Sequence, residues 1–333
     1  MTTKRERAIG CLYGQAIGDA LGTRYEFLPS IKAAKMIDAD TRREDKFLPI
    51  LGGGPFHMEV GQVTDDTEMA MGLCTSLIRC RRFDAEDVAR SYHDWYKSNP
   101  PDIGNTTMRA LQGVDRARGH VYEQLCEHSV RLNSDSLSNG CLMRISPLAI
   151  AVSGLDNVSR IASAAKHDTS MTHSNEIAHD GVAVYVNAVA ALIRGVDRQQ
   201  VYANALQQAQ TDTIRSVLTS AATEPQPGSE AKRPGCLVAL RLAFRHLLKS
   251  DWFQQSLVDV CRLGGDTDTN ACIVGAMLGA RMGAAQIPKE WKQTVTSAKP
   301  GRLQRYPCVQ LNNLEQLAVQ LLCLNVPQEQ IDT

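Results

Sequence analysis

The sequence has no net charge: over 333 residues, Lys plus Arg and Asp plus Glu number 36 each. No global field draws such a chain towards nucleic acid or an acidic membrane, so any partner must be recognised by a local arrangement. Paired cysteines are missing too. The ten cysteines, at 11, 74, 80, 126, 141, 236, 261, 272, 308 and 323, include no C-x-x-C pair, and several lie among apolar neighbours. That pattern suits reduced thiols packed as small hydrophobes, and a cytoplasmic protein is expected. The longest apolar stretch, over 182–196, is interrupted by Asn187 and Arg194. It falls short of the roughly 20 residues a membrane span needs. The opening MTTKRERAIG carries charge but no apolar core and no cleavage-like site, so no signal peptide is expected. Also absent are a G-x-S-x-G elbow, a P-loop and a G-x-G-x-x-G fingerprint. Serine nucleophile chemistry, Walker-type phosphate binding and a dinucleotide site lose support with them.

Alternating runs typical of strands are few. The helical period instead recurs over 87–95, 157–165, 181–193 and 236–248, where Leu237, Leu240, Phe244, Leu247 and Leu248 share a face. Breaks fall at 52–55, 99–104, 133–140 and 225–235, the last dense in Pro, Gly and charge and expected to be a mobile surface loop. None has the length or composition of an interdomain linker. The chain is therefore expected to form a single all-α domain over 1–333.

Glycine recurs every fourth residue in two of the expected helices: Gly10, Gly14, Gly18 and Gly22, then Gly275, Gly279 and Gly283, extended backwards by Ala271. A spacing of four places them on one stripe. Glycine inside a helix costs roughly 0.5–1 kcal/mol relative to alanine, so a stripe of it implies close approach of another backbone. The two stripes are expected to face each other at the centre of the fold, unless each packs against bulky neighbours.

Two acidic stretches carry the chemistry, VTDDTEMAMGL over 63–73 and LGGDTDTN over 263–270. Each has a purely structural explanation. Thr64 can cap a helix whose first turn holds Asp65 and Asp66, and Asp268 or Thr269 can cap a helix beginning near Ala271 after a turn shaped by Gly264 and Gly265. Together, however, they offer four carboxylates with neighbouring threonine hydroxyls at two helix starts. Oxygen-only ligands suit Mg²⁺, Mn²⁺ or Ca²⁺ and not zinc, and four converging carboxylates repel one another unless cations lie between them. His167, His173 and His179 recur at a spacing of six, which matches no zinc pattern. Only His173, in the loop-like MTHSNE, is kept as a ligand contact, with a capping role as the alternative.

These residues belong to a longer series: Gly18-Asp19-Ala20-Leu21-Gly22 with Tyr25-Glu26, Thr64-Asp65-Asp66-Thr67, Asp102-Ile103-Gly104-Asn105-Thr106, Ser138-Asn139-Gly140 with Met143-Arg144, Thr172-His173-Ser174, and Gly264-Gly265-Asp266-Thr267-Asp268-Thr269. The series resembles, in order, the motifs of the ADP-ribosylglycohydrolases, and is most similar to the branch of the dinitrogenase reductase-activating glycohydrolases, which act on arginine. The resemblance implies an all-α, compact orthogonal helical bundle with a central cleft for two divalent cations, Mg²⁺ or Mn²⁺. It implies Thr64, Asp65, Asp66, Asp266, Asp268 and Thr269 as metal ligands, and Gly104, Asn105, Asn139, Gly140, Met143, Arg144 and His173 as the substrate-binding set.

Asp102 and Glu26 are then the expected catalytic residues. Cleaving ADP-ribose from arginine needs charge stabilisation at the ribose and a proton for the leaving guanidine, and these two acids lie beside the implied metals without matching a core ligand position. Which of them is acid and which base stays open at this point. The implied partner is an ADP-ribosylated protein, with no nucleic acid and no membrane. An alternative is an immunity protein that occludes a cognate ADP-ribosyltransferase toxin, with or without hydrolysis. A helical prenyl synthase is disfavoured, because Asp65-Asp66 is followed by Thr67, Glu68 and Met69 where that class wants D-D-x-x-D.

Overall fold

Helical periodicity is realised throughout. The computed structural model describes residues 2–224, 235–299 and 311–324. The described residues form seventeen α-helices: α1 Lys4–Gly22, α2 Ser30–Asp40, α3 Asp65–Cys80, α4 Ala85–Lys97, α5 Asn105–Leu111, α6 Val121–Asn133, α7 Gly140–Met143, α8 Ser146–Ala151, α9 Val158–Ser170, α10 Glu176–Arg194, α11 Arg198–Gln208, α12 Asp212–Thr223, α13 Gly235–Lys249, α14 Phe253–Arg262, α15 Thr267–Met282, α16 Lys289–Ser297 and α17 Leu314–Leu322. Among these residues the only β-type pairings are two isolated bridges, Pro29 with Gly264 and Gly53 with Met58. The expected breaks at 52–55, 99–104 and 133–140 all fall between helices, whereas 225–234, expected as a mobile loop, lie outside the described residues.

The glycine stripes do face each other. A Cβ built on Gly14 would stand 2.0 Å from the Gly275 carbonyl oxygen, and one on Gly275 would stand 2.1 Å from that of Gly14. Gly10 meets Gly279 in the same way at 2.4 Å, Gly18 meets Ala271 at 2.1 Å, and Gly22 meets Thr267 at 2.4 Å. The pairs run in opposite directions along the two helices, so α1 and α15 are antiparallel with their backbones in contact. Gly283 caps the end of α15, with φ of +82°, and its carbonyl carbon still lies 2.9 Å from a Cβ built on Gly10. Both helices are buried on every side, α1 from Ala8 to Gly22 and α15 from Thr267 to Ala280. Their small and apolar residues therefore extend round the whole circumference, as expected of a helix with no solvent face.

The other helices wrap this pair. Helix α10 is long and apolar enough to cross a membrane by length and composition, at 19 residues with a mean hydropathy of 1.3, but 78% of that window is buried inside the fold. It packs as a core helix, with the Tyr185 hydroxyl donating to the Ile273 carbonyl in α15 at 2.8 Å.

The helix starts differ from the sequence expectation in an informative way. Thr64 does occupy the N-cap of α3, but its side chain makes no capping bond. The cap comes from α1: the Asp19 carboxylate accepts from the Thr64 and Thr67 amides at 3.0 and 3.1 Å, and from the Thr64 hydroxyl at 3.0 Å. Helix α15 begins at Thr267, not near Ala271, with Asp266 as N-cap, so Asp268 and Thr269 lie in its first turn and cap nothing. The reason is the Gly264-Gly265 turn, with φ of +68° and +73°, which reverses the chain immediately before Asp266.

Substituting Gly275 with Ala is expected to destabilise the fold by about 3 kcal/mol or more, because the Gly14 backbone blocks the added methyl and neither helix can withdraw without opening the seam. Gly154→Ala, where nothing lies within 4 Å, serves as control and should change stability by less than about 0.5 kcal/mol. Equal unfolding midpoints for the two variants in denaturant would remove the packing role assigned to the seam.

Candidate functional site

Three local devices bring the acidic groups together. The seam sets the start of α15 beside the end of α1, and Asp19 of α1 holds the start of α3. On that same face of α1, one turn earlier, Gln15 donates from Nε2 to the Asp66 carbonyl at 3.3 Å and to the Met143 carbonyl at 3.2 Å. The third device is a backbone clamp. Phe27 N donates to the Gly265 carbonyl at 2.7 Å and Gly265 N to the Leu28 carbonyl at 2.9 Å, which fixes Glu26 next to Asp266. Gly264 is needed there, because a Cβ would lie 2.2 Å from the Leu28 oxygen. The other flank of Glu26 is tied down by Asp40, which accepts from Arg24 Nε at 2.7 Å and from the Tyr25 hydroxyl at 3.0 Å.

The outcome is one acidic cluster. Carboxylate oxygens of Glu26, Asp266 and Asp268 all lie within 4.8 Å of one another. Asp66 Oδ2 joins the two helix starts, accepting from the Thr64 hydroxyl at 3.0 Å and the Thr269 hydroxyl at 3.3 Å. Asp65 Oδ2 accepts from the Gly104 amide at 3.3 Å, and Asp266 Oδ2 from Asn139 Nδ2 at 2.7 Å. Thr64, Asp65, Asp66, Asp268, Thr269 and Glu26 are buried, and Asp266 is partly exposed. Three buried carboxylate oxygens, Glu26 Oε2, Asp66 Oδ1 and Asp268 Oδ1, have no hydrogen-bond partner.

Burial and mutual repulsion hold these acids in their protonated forms well beyond the usual carboxylate range. Burial, then Asp266 and Asp65, push Glu26 up to about 8. Asp102, on the loop between α4 and α5, is pushed up to about 9 by burial and then by Asp65 and Glu26. Asp65 rises to about 7, chiefly by burial. Asp66 and Asp268 are raised well above the usual range by burial first and by their acidic neighbours second. Asp19 rises to about 6 by burial, held back by its bonds from Thr64 and Thr67. A cluster so reluctant to ionise is poised for a cation or for proton transfer.

The remaining sequence-predicted residues divide into two groups. Gly104 and Asn105 are exposed at the start of α5, and Asn139 stands at the N-cap of α7; Gly104 touches the cluster through Asp65 and Asn139 through Asp266, with Asn105 next in the chain. Gly140, Met143, Arg144 and His173 are buried behind that edge. Arg144 is fully enclosed, with Nε on Asp168 Oδ1 at 3.0 Å, Nη2 on the Asp168 carbonyl at 2.9 Å, and Nη1 on the Gly140 carbonyl and the Thr172 hydroxyl at 3.1 and 2.9 Å. His173 is likewise enclosed, with Nδ1 at 2.8 Å from the Thr172 hydroxyl and Nε2 at 2.7 Å from the Ser138 hydroxyl. His179 donates from Nε2 to the His173 carbonyl oxygen at 2.8 Å, and His167 Nδ1 meets the Tyr122 hydroxyl at 2.7 Å. Neither reaches the acidic cluster by a hydrogen bond.

Sequence reasoning missed the parts played by Gln15, Asp19, Tyr92 and Asp168. For the first two a signal was present: after Ala8, Gln15 and Asp19 stand four apart in an otherwise small and apolar run, Tyr13 aside, and so share a helix face.

With this geometry in hand, comparison with known proteins is direct. The ADP-ribosylglycohydrolase family profile matches residues 1–326. The chain is 27% identical over 288 residues to the ADP-ribosyl-[dinitrogen reductase] glycohydrolase of Rhodospirillum rubrum, covering 86% of this chain and 89% of that protein. It is 28% identical over 305 residues to the ADP-ribosylarginine hydrolase Tri1 of Pseudomonas putida (strain GB-1), covering 87% and 74% respectively. A solved structure, an ADP-ribosylglycohydrolase-related protein complex, superimposes with a TM-score of 0.74 at 25% identity over 96% of this chain and 98% of its own. Since the profile spans nearly the whole sequence and the solved relative shares the helical architecture, the chain belongs to the ADP-ribosylglycohydrolase family.

Proposed function

We propose that this protein hydrolyses the N-glycosidic bond joining ADP-ribose to arginine on modified proteins. It would do so with two divalent cations, Mg²⁺ or Mn²⁺, at Thr64, Asp65, Asp66, Asp266, Asp268 and Thr269, with Glu26 as a further ligand. The observation that carries the proposal is the set of partnerless buried oxygens on Glu26, Asp66 and Asp268, contributed by the start of α3, the start of α15 and the loop clamped to it. Leaving buried carboxylate oxygens unpaired is costly, and a charged, oxygen-only donor set fits a hard divalent cation. Arginine as the linkage is supported by the likeness to an ADP-ribosylarginine hydrolase and by the Asp102-Ile103-Gly104 loop, similar to that of the arginine-specific branch.

Cations held by these residues would supply Lewis-acid binding for the ribose hydroxyls and would offset the negative charge of the cluster. The protein's own residues do the rest. Asn139, Gly104 and Asn105 border the cluster on one side and orient the ADP-ribose. Glu26 lies within the compact triad with Asp266 and Asp268, and that position supports assigning its carboxylate to ligation. That leaves Asp102, two residues before the Gly104 amide that donates to Asp65, to carry the proton. As the bond from the anomeric carbon to the guanidine nitrogen breaks, that nitrogen takes the Asp102 proton. The water that adds at the carbon then returns a proton to the ionised carboxylate.

Offered arginine-, serine- and aspartate-linked ADP-ribosyl substrates, the purified protein should release ADP-ribose from the arginine linkage, and EDTA should abolish the release. Cleavage of none of them sinks the proposal; cleavage of another linkage alone sinks its arginine part. Asp102→Asn should lower kcat by about 10²- to 10⁴-fold while cation-dependent stabilisation is retained. An active Asp102→Asn would return the proton transfer to Glu26.

The raised carboxyls also predict a pH dependence. Glu26, Asp65 and Asp102 hold protons up to about 8, 7 and 9 in the folded protein, against about 4 in an unfolded chain. The cation-free fold therefore binds more protons than the unfolded chain between these limits. The stability they contribute is complete below about pH 4, declines as pH rises from there, and is gone once pH has passed through about 7 to 9. Thermal melts in EDTA should show Tm falling over that range, and Mg²⁺ at about 100 times its Kd should add about 2.7 kcal/mol and flatten the fall. A Tm unmoved by Mg²⁺ or Mn²⁺ at the alkaline end would argue against a cation site.

A further inference from the structure

The edge of the cleft formed by Asn139 and Gly140 rests on an enclosed polar chain that does not itself reach the acidic cluster. At its base, Asp168 of α9 and Arg144 form an ion pair in which both side chains are 0% exposed. The Tyr92 hydroxyl of α4 donates to Asp168 Oδ2 at 2.6 Å, and the guanidinium lies over the Tyr92 ring, 4.7 Å from its centroid. The buried cation's acceptors are Asp168 of α9, the Gly140 carbonyl and the Thr172 hydroxyl, with the Tyr92 ring of α4 beneath it, the support a buried ion pair needs if it is to hold its place.

From Arg144 the chain divides. Nη1 donates to the Gly140 carbonyl and fixes the turn that carries Asn139. The same nitrogen donates to the Thr172 hydroxyl, which leaves that hydroxyl's own proton free to point at His173 Nδ1, 2.8 Å away. With Nδ1 an acceptor, the ring proton belongs on Nε2, which donates to the Ser138 hydroxyl at 2.7 Å. A Cβ on Gly140 would stand only 3.5 Å from His173 Cε1, so the ring also abuts the turn sterically. Asn133 ties the same segment to α5, donating to the Thr172 carbonyl at 3.0 Å and the Thr106 carbonyl at 2.9 Å.

We propose that Arg144, Asp168, Thr172 and His173 are positioning residues: the buried pair polarises the Thr172 hydroxyl, which sets the His173 tautomer, which holds Ser138 and thereby the Asn139 side chain at the edge of the cleft. The part concerning ligand affinity rests on the ADP-ribose reading of that cleft; the tautomer does not. The device acts on binding geometry and not on cation ligation, because none of its members touches the acidic cluster directly and only Asn139, at its far end, bonds to Asp266.

The test uses the full-length protein loaded with Mg²⁺. With ¹⁵N-labelled histidine, NMR should show the His173 ring carrying its proton on Nε2, and Thr172→Val should shift that balance while Thr172→Ser restores it. Calorimetric titration with ADP-ribose should show Thr172→Val weakening affinity by about tenfold, the worth of one buried hydrogen bond. Thr172→Ser should recover the loss, and Mg²⁺ affinity should stay unchanged in both. Ser138→Ala, which leaves the buried pair and Thr172 intact, should weaken ADP-ribose binding in the same direction and serves if Thr172→Val does not fold. An Nδ1 proton on His173 in the unsubstituted protein overturns the proposal, as does unchanged ADP-ribose affinity in both variants. Failure of the unsubstituted protein to bind ADP-ribose would instead overturn the reading of the cleft, with the tautomer still deciding the relay.

Discussion

Backbone contact between α1 and α15 is the constraint on which the rest of the structure depends. Two helices touch without intervening side chains only where each offers glycine or alanine at every fourth position, and the pairs from Gly10–Gly279 to Gly18–Ala271 do so, with Gly22 meeting the Thr267 backbone at the end of α1. That closeness places the polar end of α15 against the last turn of α1. Asp19 can then reach the amides of α3, and Thr269 of α15 can reach Asp66. A seam with larger residues would hold the same helices farther apart, and helix axes normally stand 8–10 Å from each other when side chains intervene.

The acidic cluster is made against local electrostatic preference. Each carboxylate is locally reasonable, since Asp65, Asp66 and Asp268 lie in first turns where a helix dipole favours negative charge. Their convergence is what costs free energy, and the raised protonation ranges of Glu26, Asp65 and Asp102 record it. The neighbouring Arg144–Asp168 pair is the opposite case: opposite charges, every acceptor supplied, and no exposure. One protein thus holds a satisfied buried network beside an unsatisfied one, and the unsatisfied one is where a ligand has something to add.

Much of this was legible in the sequence, for identifiable reasons. The glycine spacing of four needed only helix geometry to predict a backbone seam, and two acidic helix starts needed only charge repulsion to suggest a shared cation site. The failures were equally physical. The capping roles given to Thr64, Asp268 and Thr269 rested on local preference, and capping by Asp19 came from 45 residues away, where no local rule reaches. Arg144 and His173 were grouped with the substrate-binding residues because they lie in the right motifs. Their burial depends on Asp168, Tyr92 and Thr172, whose proximity is set by the packing of α4 and α9 and leaves no periodic trace.

The seam also bears on how the chain must fold. Gly14 and Gly275 are roughly 260 residues apart, so the contact at the centre of the molecule is among the most distant in sequence. Until α15 has been synthesised, α1 has no partner for a surface that is small and apolar on all sides, and such surface invites association with other chains. Closure of so long a loop comes late, because its entropy must be met before the contact rewards it. The acidic cluster, assembled from segments about 200 residues apart, therefore cannot form until α15 has met α1 and α3.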